Sequence, residues 1–442
     1  MGVSDDKHFL CIDLKSFYAS VECVDRGLDP LATDLVVADA SRTNKTICLA
    51  VSPSLKAKGV RNRCRVFEIP RHLDYIMAPP RMARYIEASA EIYGVYLDWV
   101  SKDDIHVYSI DEVFIDVGPY LRLYDKTPRE LGERIRADVV ARTGIPATCG
   151  LGSNLYLAKV ALDITAKHSD DYFGVLDEHS YRETLWNHRP LTDFWRVGRG
   201  TQRRLAEMGI HTMGQLALAP VEPLFQTFGI DAEILIDHAW GIEPVQMAHI
   251  KAYQPQTHCL ATAQVLSRDY DFDEGRVVAR EMAEALALQL VEQGRAASGV
   301  ALSVGYGLTQ QDRVAIRSSN DVWYANWPSD GGTHRFVTPT SSRRIIVDGA
   351  MAVYDNNVAR DRPVHRLGMT LDGVIDDEAA GTQLDLFADP AALERERKQQ
   401  LAVSAIKEKF GKNALLRATD LLPEATARER NLQIGGHRSG EE

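Results

Sequence analysis

The chain has 442 residues, 45% of them hydrophobic and 26% charged, which is the composition of a globular protein with length for about three domains. A formal net charge of −11 argues mildly against nucleic acid as a partner, although affinity for phosphates depends on where basic residues cluster and not on their total. No apolar run is long enough to span a bilayer, and MGVSDDKHFL lacks the basic-then-apolar order of a signal peptide. Cys11, Cys23, Cys48, Cys64, Cys149 and Cys259 form no CxxC and no metal spacing, so the expectation is a reduced, cytoplasmic protein.

In chain order, Phe9 to Ile12 is a short continuous apolar run, as in a strand buried on both faces, and it runs into Asp13. Ser16 to Val24 then reads as a helix with Ser16 as a candidate N-cap. Residues 34 to 70 alternate strand-like pieces with basic punctuation at Arg42, Lys45, Lys56, Lys58, Arg61, Arg63 and Arg65. Residues 80 to 100 predict an amphipathic helix with Met82, Tyr85, Ile86, Ile92 and Tyr93 toward a core. VYSIDEVFID, residues 107 to 116, has the β-branched composition of a buried strand, yet Asp111 and Glu112 sit side by side within it. A helix from about Pro128 to Arg142, a strand at ATCGLG and a helix from about Asn154 follow.

A second section begins near residue 172 and carries a V-G-x-G turn opening a helix, a break at Gly209 and a second helix. Prolines and polar residues around KAYQPQTHCL predict a linker. In residues 257 to 374, strand-like pieces (HCLATAQVL, GVALSVGYG, HRLGMTLDGV) flank an amphipathic helix from about Glu274 to Gln293. No lysine occurs between Lys251 and Lys398; the arginines there suit bidentate phosphate contact, or reflect a compositional bias. From about 375 the chain reads as an acidic tail with one apolar island, QLDLF, then a charged helical stretch and a Gly-rich end.

If the strand ending in Asp13 neighbours the one carrying Asp111 and Glu112, three carboxylates converge and raise one another's pKa unless a cation neutralises them. Mg²⁺ takes such hard oxygen ligands together with substrate phosphates. Two ions about 3.5–4 Å apart can clamp the attacking and leaving oxygens of a phosphoryl displacement. The other reading of Asp111 and Glu112 is a hairpin turn or a solvated edge.

IDLKSFYASVE, YSIDEVFID and GLGSNLYLAKVALDITAK, followed by the VGRG turn, resemble the Y-family (DinB/UmuC-type) translesion DNA polymerases. The closing LLRATDLLPEATARERNLQIGGH is similar to the tail of the UmuC-like polymerases of Gram-positive bacteria. The resemblance implies an α+β multidomain, right-hand polymerase fold. Its parts would be a palm (1–16 and 84–172), small fingers (17–83), a helical thumb with a helix-hairpin-helix (173–250), a linker (251–256), an α/β little finger (257–374) and a tail (375–442). It implies template-directed, low-fidelity DNA synthesis, with Asp13, Asp111 and Glu112 as the catalytic ligands of two Mg²⁺ ions and the main-chain carbonyl of Leu14 completing one sphere.

Phe17, Tyr18, Lys56 and Lys159 would meet the incoming deoxynucleoside triphosphate. Tyr18 matches the steric-gate aromatic that excludes a 2′-hydroxyl, and is otherwise a core aromatic. Lys159 matches the family's triphosphate lysine, and is otherwise a solvated helix lysine. In AVSPSLKAKGV the triphosphate position falls on Lys56 or on Ala57, with Lys58 and Arg61 as nearby substitutes. Gly198 and Gly200 would let backbone N–H groups approach a DNA phosphate, or merely connect two helices. Arg343 and Arg344, from a set that includes Arg268, Arg335 and Arg366, would grip the duplex backbone. Gln383, Leu384, Leu386 and Phe387 match the bacterial sliding-clamp motif, presented from a flexible tail, or else form a buried C-terminal element.

Expected partners are therefore primer-template DNA, deoxynucleoside triphosphates and the clamp β subunit, with the need for an accessory subunit or recombinase filament left open and no membrane. Damage-induced (SOS) expression is implied by the resemblance alone. No stretch is left over for a proofreading exonuclease. Two rivals are a non-catalytic scaffold of the same fold that recruits partners to the clamp, and a nucleotidyl cyclase on a palm-like sheet.

Overall fold

The apolar run FLCIDL forms β1 (Phe9–Leu14), the middle strand of a five-stranded sheet in the computed structural model of the chain. Residues 7–41, 43–255, 258–312, 327–377 and 389–440 are described. They fall into two units, Met1–Gln254 and Pro255–Glu441.

In the first unit α1 (Phe17–Val24) follows β1 directly. β2 (Leu35–Val37), β3 (Ala50–Val51), α2 (Pro53–Ala57) and β4 (Ile76–Ala78) come next, the strands pairing as a separate small sheet in the order β3-β2-β4. α3 (Met82–Leu97) leads to β5 (Ile105–Val107) and β6 (Glu112–Asp116). The helix Pro128–Thr143, β7 (Ala147–Gly152), the helix Leu155–Val160 and β8 (Phe173–Leu176) complete the main sheet. Its order is β5-β6-β1-β7-β8, antiparallel except for β7 with β8.

VYSIDEVFID is not one strand. Val107 pairs with Val113, and residues 108–111 turn the chain between β5 and β6, with the N–H groups of Tyr108 and Ser109 both donating to the Glu112 carbonyl. The carboxylates are tolerated among apolar residues because the turn puts them at the end of the strands and not in the middle. Ile86 of α3 is exposed, whereas Met82, Tyr85 and Ile92 are buried, because the buried stripe of the helix continues through Ala88, Val95 and Tyr96.

The second unit is an antiparallel sheet, β11-β10-β12-β9, built from β9 (Cys259–Tyr270), β10 (Arg295–Tyr306), β11 (Ser329–Thr340) and β12 (Val364–Asp372). One face is covered by the helices Phe272–Glu292 and Arg343–Asn357, whose Met282, Leu286, Ile346 and Tyr354 share a core with Val300, Leu302, Leu367 and Met369. Residues 329–357 carried no predicted element, since the polar, Gly-rich SDGGTHRFVTPT lacks the apolar alternation of the other strands. The chain from 389 onward is not a free tail. Buried Glu281 accepts from the N–H groups of Thr426 and Ala427, Glu396 accepts from the Ser342 hydroxyl, and Arg417 pairs with Glu284. A buried carboxylate needs donors, and this segment supplies them.

Where β7 passes the helix Leu155–Val160, glycine is a steric requirement. A Cβ on Gly152 would lie 2.1 Å from the Ala158 nitrogen and 2.6 Å from the Leu157 carbonyl carbon, both fixed backbone atoms. Gly152→Ala is expected to destabilise the first unit by about 3 kcal/mol or more, read as a lower denaturation midpoint. An unchanged midpoint would mean that strand and helix separate without cost.

Candidate active site

Asp13 faces Glu112 across the β1–β6 pair, and the Leu14 N–H donates to the Asp111 carbonyl at 2.9 Å. All three carboxylates therefore sit at one end of the sheet. The side-chain alternation of β1 puts Asp13 on the same face as Cys11 and Phe9, toward the helix Leu155–Val160. Asp111 accepts from the Ser109 hydroxyl at 2.6 Å.

Glu112 is held from two sides. The Lys159 ammonium lies 2.8 Å from Oε1 and 2.9 Å from Oε2, and the Cys11 thiol donates to Oε1 at 3.1 Å. Lys159 also pairs with Asp163 at 3.0 Å, and its side chain is only 9% exposed. Burial opposes the charge on Lys159, but Cys11, Asp163 and Glu112 more than offset it and hold its pKa above the ordinary lysine value. Lys159 is thus a buried counter-ion and not a solvated lysine. Lys167, with a side chain 41% exposed, stands 3.5 Å from Asp13 Oδ2 and 2.7 Å from Asp163 Oδ1. Burial raises the Asp13 carboxyl to about 6, against the pull of Lys167 and with the push of Asp111 and Glu112.

These donors suit a hard divalent cation in kind: carboxylates, a main-chain carbonyl at Leu14, and an acid whose buried charge lacks full compensation. Among the described residues no three carboxylate, imidazole or thiol groups are gathered into a ready-made cage. That fits Mg²⁺, which is commonly held by one or two carboxylates and completed by substrate phosphates and water.

Beside the acids lies the start of α1. Ser16 precedes it in the left-handed region (φ 48°), and no side chain caps the helix. The Lys56 ammonium donates to Ser16 Oγ at 2.8 Å, while Lys58 is paired with Asp34. Burial, and then the charge of Lys167, lowers the pKa of Lys56. Phe17 is buried at 3% exposure, so only its backbone can meet a ligand. The half-buried Tyr18 ring stacks on Tyr85, with centroids 4.5 Å apart and planes 15° apart. Tyr85 is itself fixed, its hydroxyl donating to buried Glu22 at 2.8 Å, and Arg81 and Arg26 neutralise that carboxylate.

Elsewhere in the first unit, Gly198 caps the helix Arg199–Glu207, and a Cβ at Gly198 or Gly200 would meet only open space. In the second unit, both stand at a helix start: Arg343 pairs with Glu284 at 3.0 Å, whereas Arg344 is exposed and its backbone N–H donates to Glu396. Alternation along β11 and β12 puts Arg335 and Arg366 on the sheet face opposite the helices, with the exposed Val337 and Val265; Arg335 is paired with Asp372 at 3.0 Å and Arg268 with Glu274. Gln383, Leu384, Leu386 and Phe387 lie outside the described residues, as does Arg42.

The impB/mucB/samB family matches residues 12–163, and its C-terminal domain matches residues 260–386. The chain belongs to this family, the Y-family polymerases. It is 32% identical to the Bacillus subtilis (strain 168) protein named "Putative UV-damage repair protein UvrX", over 98% of both chains. It is 29% identical to "DNA polymerase IV 2" of the same organism, over 98% of this chain and 99% of that one. Among solved structures, the Y-family DNA polymerase chimera Dbh-Dpo4(243-245)-Dbh superposes with a TM-score of 0.59 at 17% identity, covering 83% of this chain and 99% of the other. The mixed α/β multidomain fold is that of a Y-family polymerase.

Sequence reasoning missed Lys167, Asp163 and the Glu22–Tyr85 pair. One signal was available: Lys159, Asp163 and Lys167 recur at four-residue spacing, which sets alternating charges along one helix face.

Because the folded Asp13 carboxyl titrates near 6 and an unfolded one near 3.8, the folded chain binds that proton more tightly, and stability is lost as pH rises between these values. In the presence of a chelator, Asp13→Asn is expected to match wild type near pH 4 and exceed it by up to about 3 kcal/mol above pH 6. A pH-independent difference in denaturant melts would refute this.

Proposed function

We propose that the protein is a DNA-directed DNA polymerase of the translesion type, joining a deoxynucleotide to a primer 3′-hydroxyl and releasing pyrophosphate. The observation that carries this reading is the facing of Asp13 and Glu112 across one strand pair, with Asp111 at the same end, beside an uncapped helix start flanked by lysines. Family membership over nearly the whole chain supports it, as do relatives named DNA polymerase IV.

Asp13, Asp111, Glu112 and the Leu14 carbonyl would hold two Mg²⁺ ions, which when bound supply charge neutralisation at the triphosphate and a lowered pKa at the primer hydroxyl. Lys159 orients Glu112 by pairing with both of its carboxylate oxygens. The exposed ammonium groups of Lys56 and Lys167 are better placed than Lys159 to meet a triphosphate. Tyr18, its plane set by Tyr85, lies against the sugar and leaves no room for a 2′-hydroxyl. The N–H groups at Gly198 and Gly200 contact a phosphate without reading sequence. Arg335 and Arg366, on the sheet face opposite the helices, grip the duplex backbone. QLDLF docks to the sliding clamp, a reading that rests on sequence alone.

Primer extension with Mg²⁺ on an undamaged and an abasic template tests the proposal. Asp111→Ala/Glu112→Ala is expected to lose at least about a hundredfold in activity, while Tyr18→Ala keeps deoxynucleotide incorporation and gains about tenfold or more in ribonucleotide incorporation. Activity unaffected by the double substitution would sink the catalytic assignment. A wild-type protein inert even with clamp would favour the recruiting scaffold.

A further inference from the structure

One cation at this site has no role so far. Lys15 follows the strand that carries Asp13, and its N–H donates to the Pro146 carbonyl at 2.8 Å, which fixes its backbone to the sheet. Its side chain is half-buried, with the ammonium 3.4 Å from the centre of the Tyr172 ring. Among the described residues no carboxylate forms an ion pair with it. Lys167 contacts Asp13, two residues before it, and Lys56 contacts Ser16, the residue after it.

Three lysines gather around residues 13–16, and of these Lys167 is paired with Asp13 and Asp163 while Lys15 makes no ion pair among the described residues, so its charge is the one left to be met in a partly desolvated place. An anion of several charges would meet the ammonium groups of Lys15, Lys56 and Lys167 together. A ring under the ammonium stabilises the cation without consuming a donor, so the N–H groups of Lys15 stay available. The adjoining helix start, left uncapped at Ser16, presents its partial positive charge to the same place.

We propose that Lys15 is a third phosphate-binding lysine, which with Lys56 and Lys167 holds the triphosphate tail of the incoming nucleotide and, after transfer, the pyrophosphate. This rests on the polymerase reading above. The tail and the released pyrophosphate share the charge and oxygen geometry that lysine recognises as a point charge, and neither requires base or sugar contact from Lys15. Tyr172 acts as the platform that keeps the ammonium off Asp13. The substrate class is a nucleoside triphosphate with its phosphates intact, and the contribution is to binding and not to the chemical step.

The test is Lys15→Met, which keeps the stem over Tyr172 and removes the charge, with Lys15→Arg as the conservative variant. Single-nucleotide incorporation of dGTP opposite a template cytosine is expected to show KM raised about tenfold, the size of one charge-assisted hydrogen bond, with kcat within about twofold. Inhibition by inorganic pyrophosphate weakens by the same factor, and Lys15→Arg restores most of both. Unchanged KM and unchanged pyrophosphate inhibition overturn the proposal, as does a loss in kcat alone. So does a fall in melting temperature that Lys15→Arg does not repair. If wild type incorporates nothing, the polymerase reading fails by itself, and calorimetric titration with inorganic pyrophosphate decides on Lys15. Binding about tenfold weaker in Lys15→Met supports the assignment, and equal binding refutes it.

Discussion

Two carboxylates facing each other across an antiparallel strand pair repel, and in a partly buried place water screens them poorly. Asp13 and Glu112 stand in that relation, and the first unit is built around offsetting it. Glu112 has a dedicated counter-ion in Lys159, made possible because β7 and the helix after it come close enough for their glycines and alanines to touch. Asp13 has weaker cover: its ion pair, with the exposed Lys167, is longer at 3.5 Å, and burial raises its pKa. One acid is thus paired with a buried lysine inside the protein, and the other stands at the mouth of the site beside an exposed one.

The same logic recurs around the site with different partners. Buried Glu22 is neutralised by Arg81 and Arg26 and orders Tyr85, so the aromatic plane beneath Tyr18 is set by an ion pair one layer down. In the second unit Glu281 accepts from the backbone at Thr426 and Ala427, and Glu284 is shared by Arg343 and Arg417. These contacts bind the C-terminal segment to the helix-covered face of the sheet. The opposite face carries Arg335, paired with Asp372, and Arg366.

Much of this was legible from residue patterns. The apolar run ending in Asp13, the helix beginning after Ser16, the ATCGLG strand, the helix from about Asn154 and the Gly198 turn all appear where their residue pattern puts them, although the Ser16 side chain does not cap its helix. The hairpin within VYSIDEVFID was not legible, because the same β-branched residues suit one strand or two and only the pairing of Val107 with Val113 distinguishes them. β11 was missed because its residues are polar and small, and it owes its place to backbone pairing with β10 and to Phe336 packing against the core. Arg343 looked like a candidate for phosphate because arginine type is visible in a sequence, whereas its pairing with a carboxylate 59 positions away, in Glu284, is not.

The sequence by itself determined the kinds of groups at this site and their local frames: acids at strand ends, an aromatic on the first turn of a helix, lysines at helical spacing. Those depend on contacts within a few residues, which composition and period record. Which lysine is buried and which is free was decided only by tertiary structure. Lys159 and Lys167 are eight residues apart with the same neighbour in Asp163, and nothing local separates them. Their roles differ because β1 and β6 bring Glu112 under one and Asp13 toward the other, and an ammonium group's freedom to meet a ligand is set by the carboxylate that the rest of the fold puts beside it.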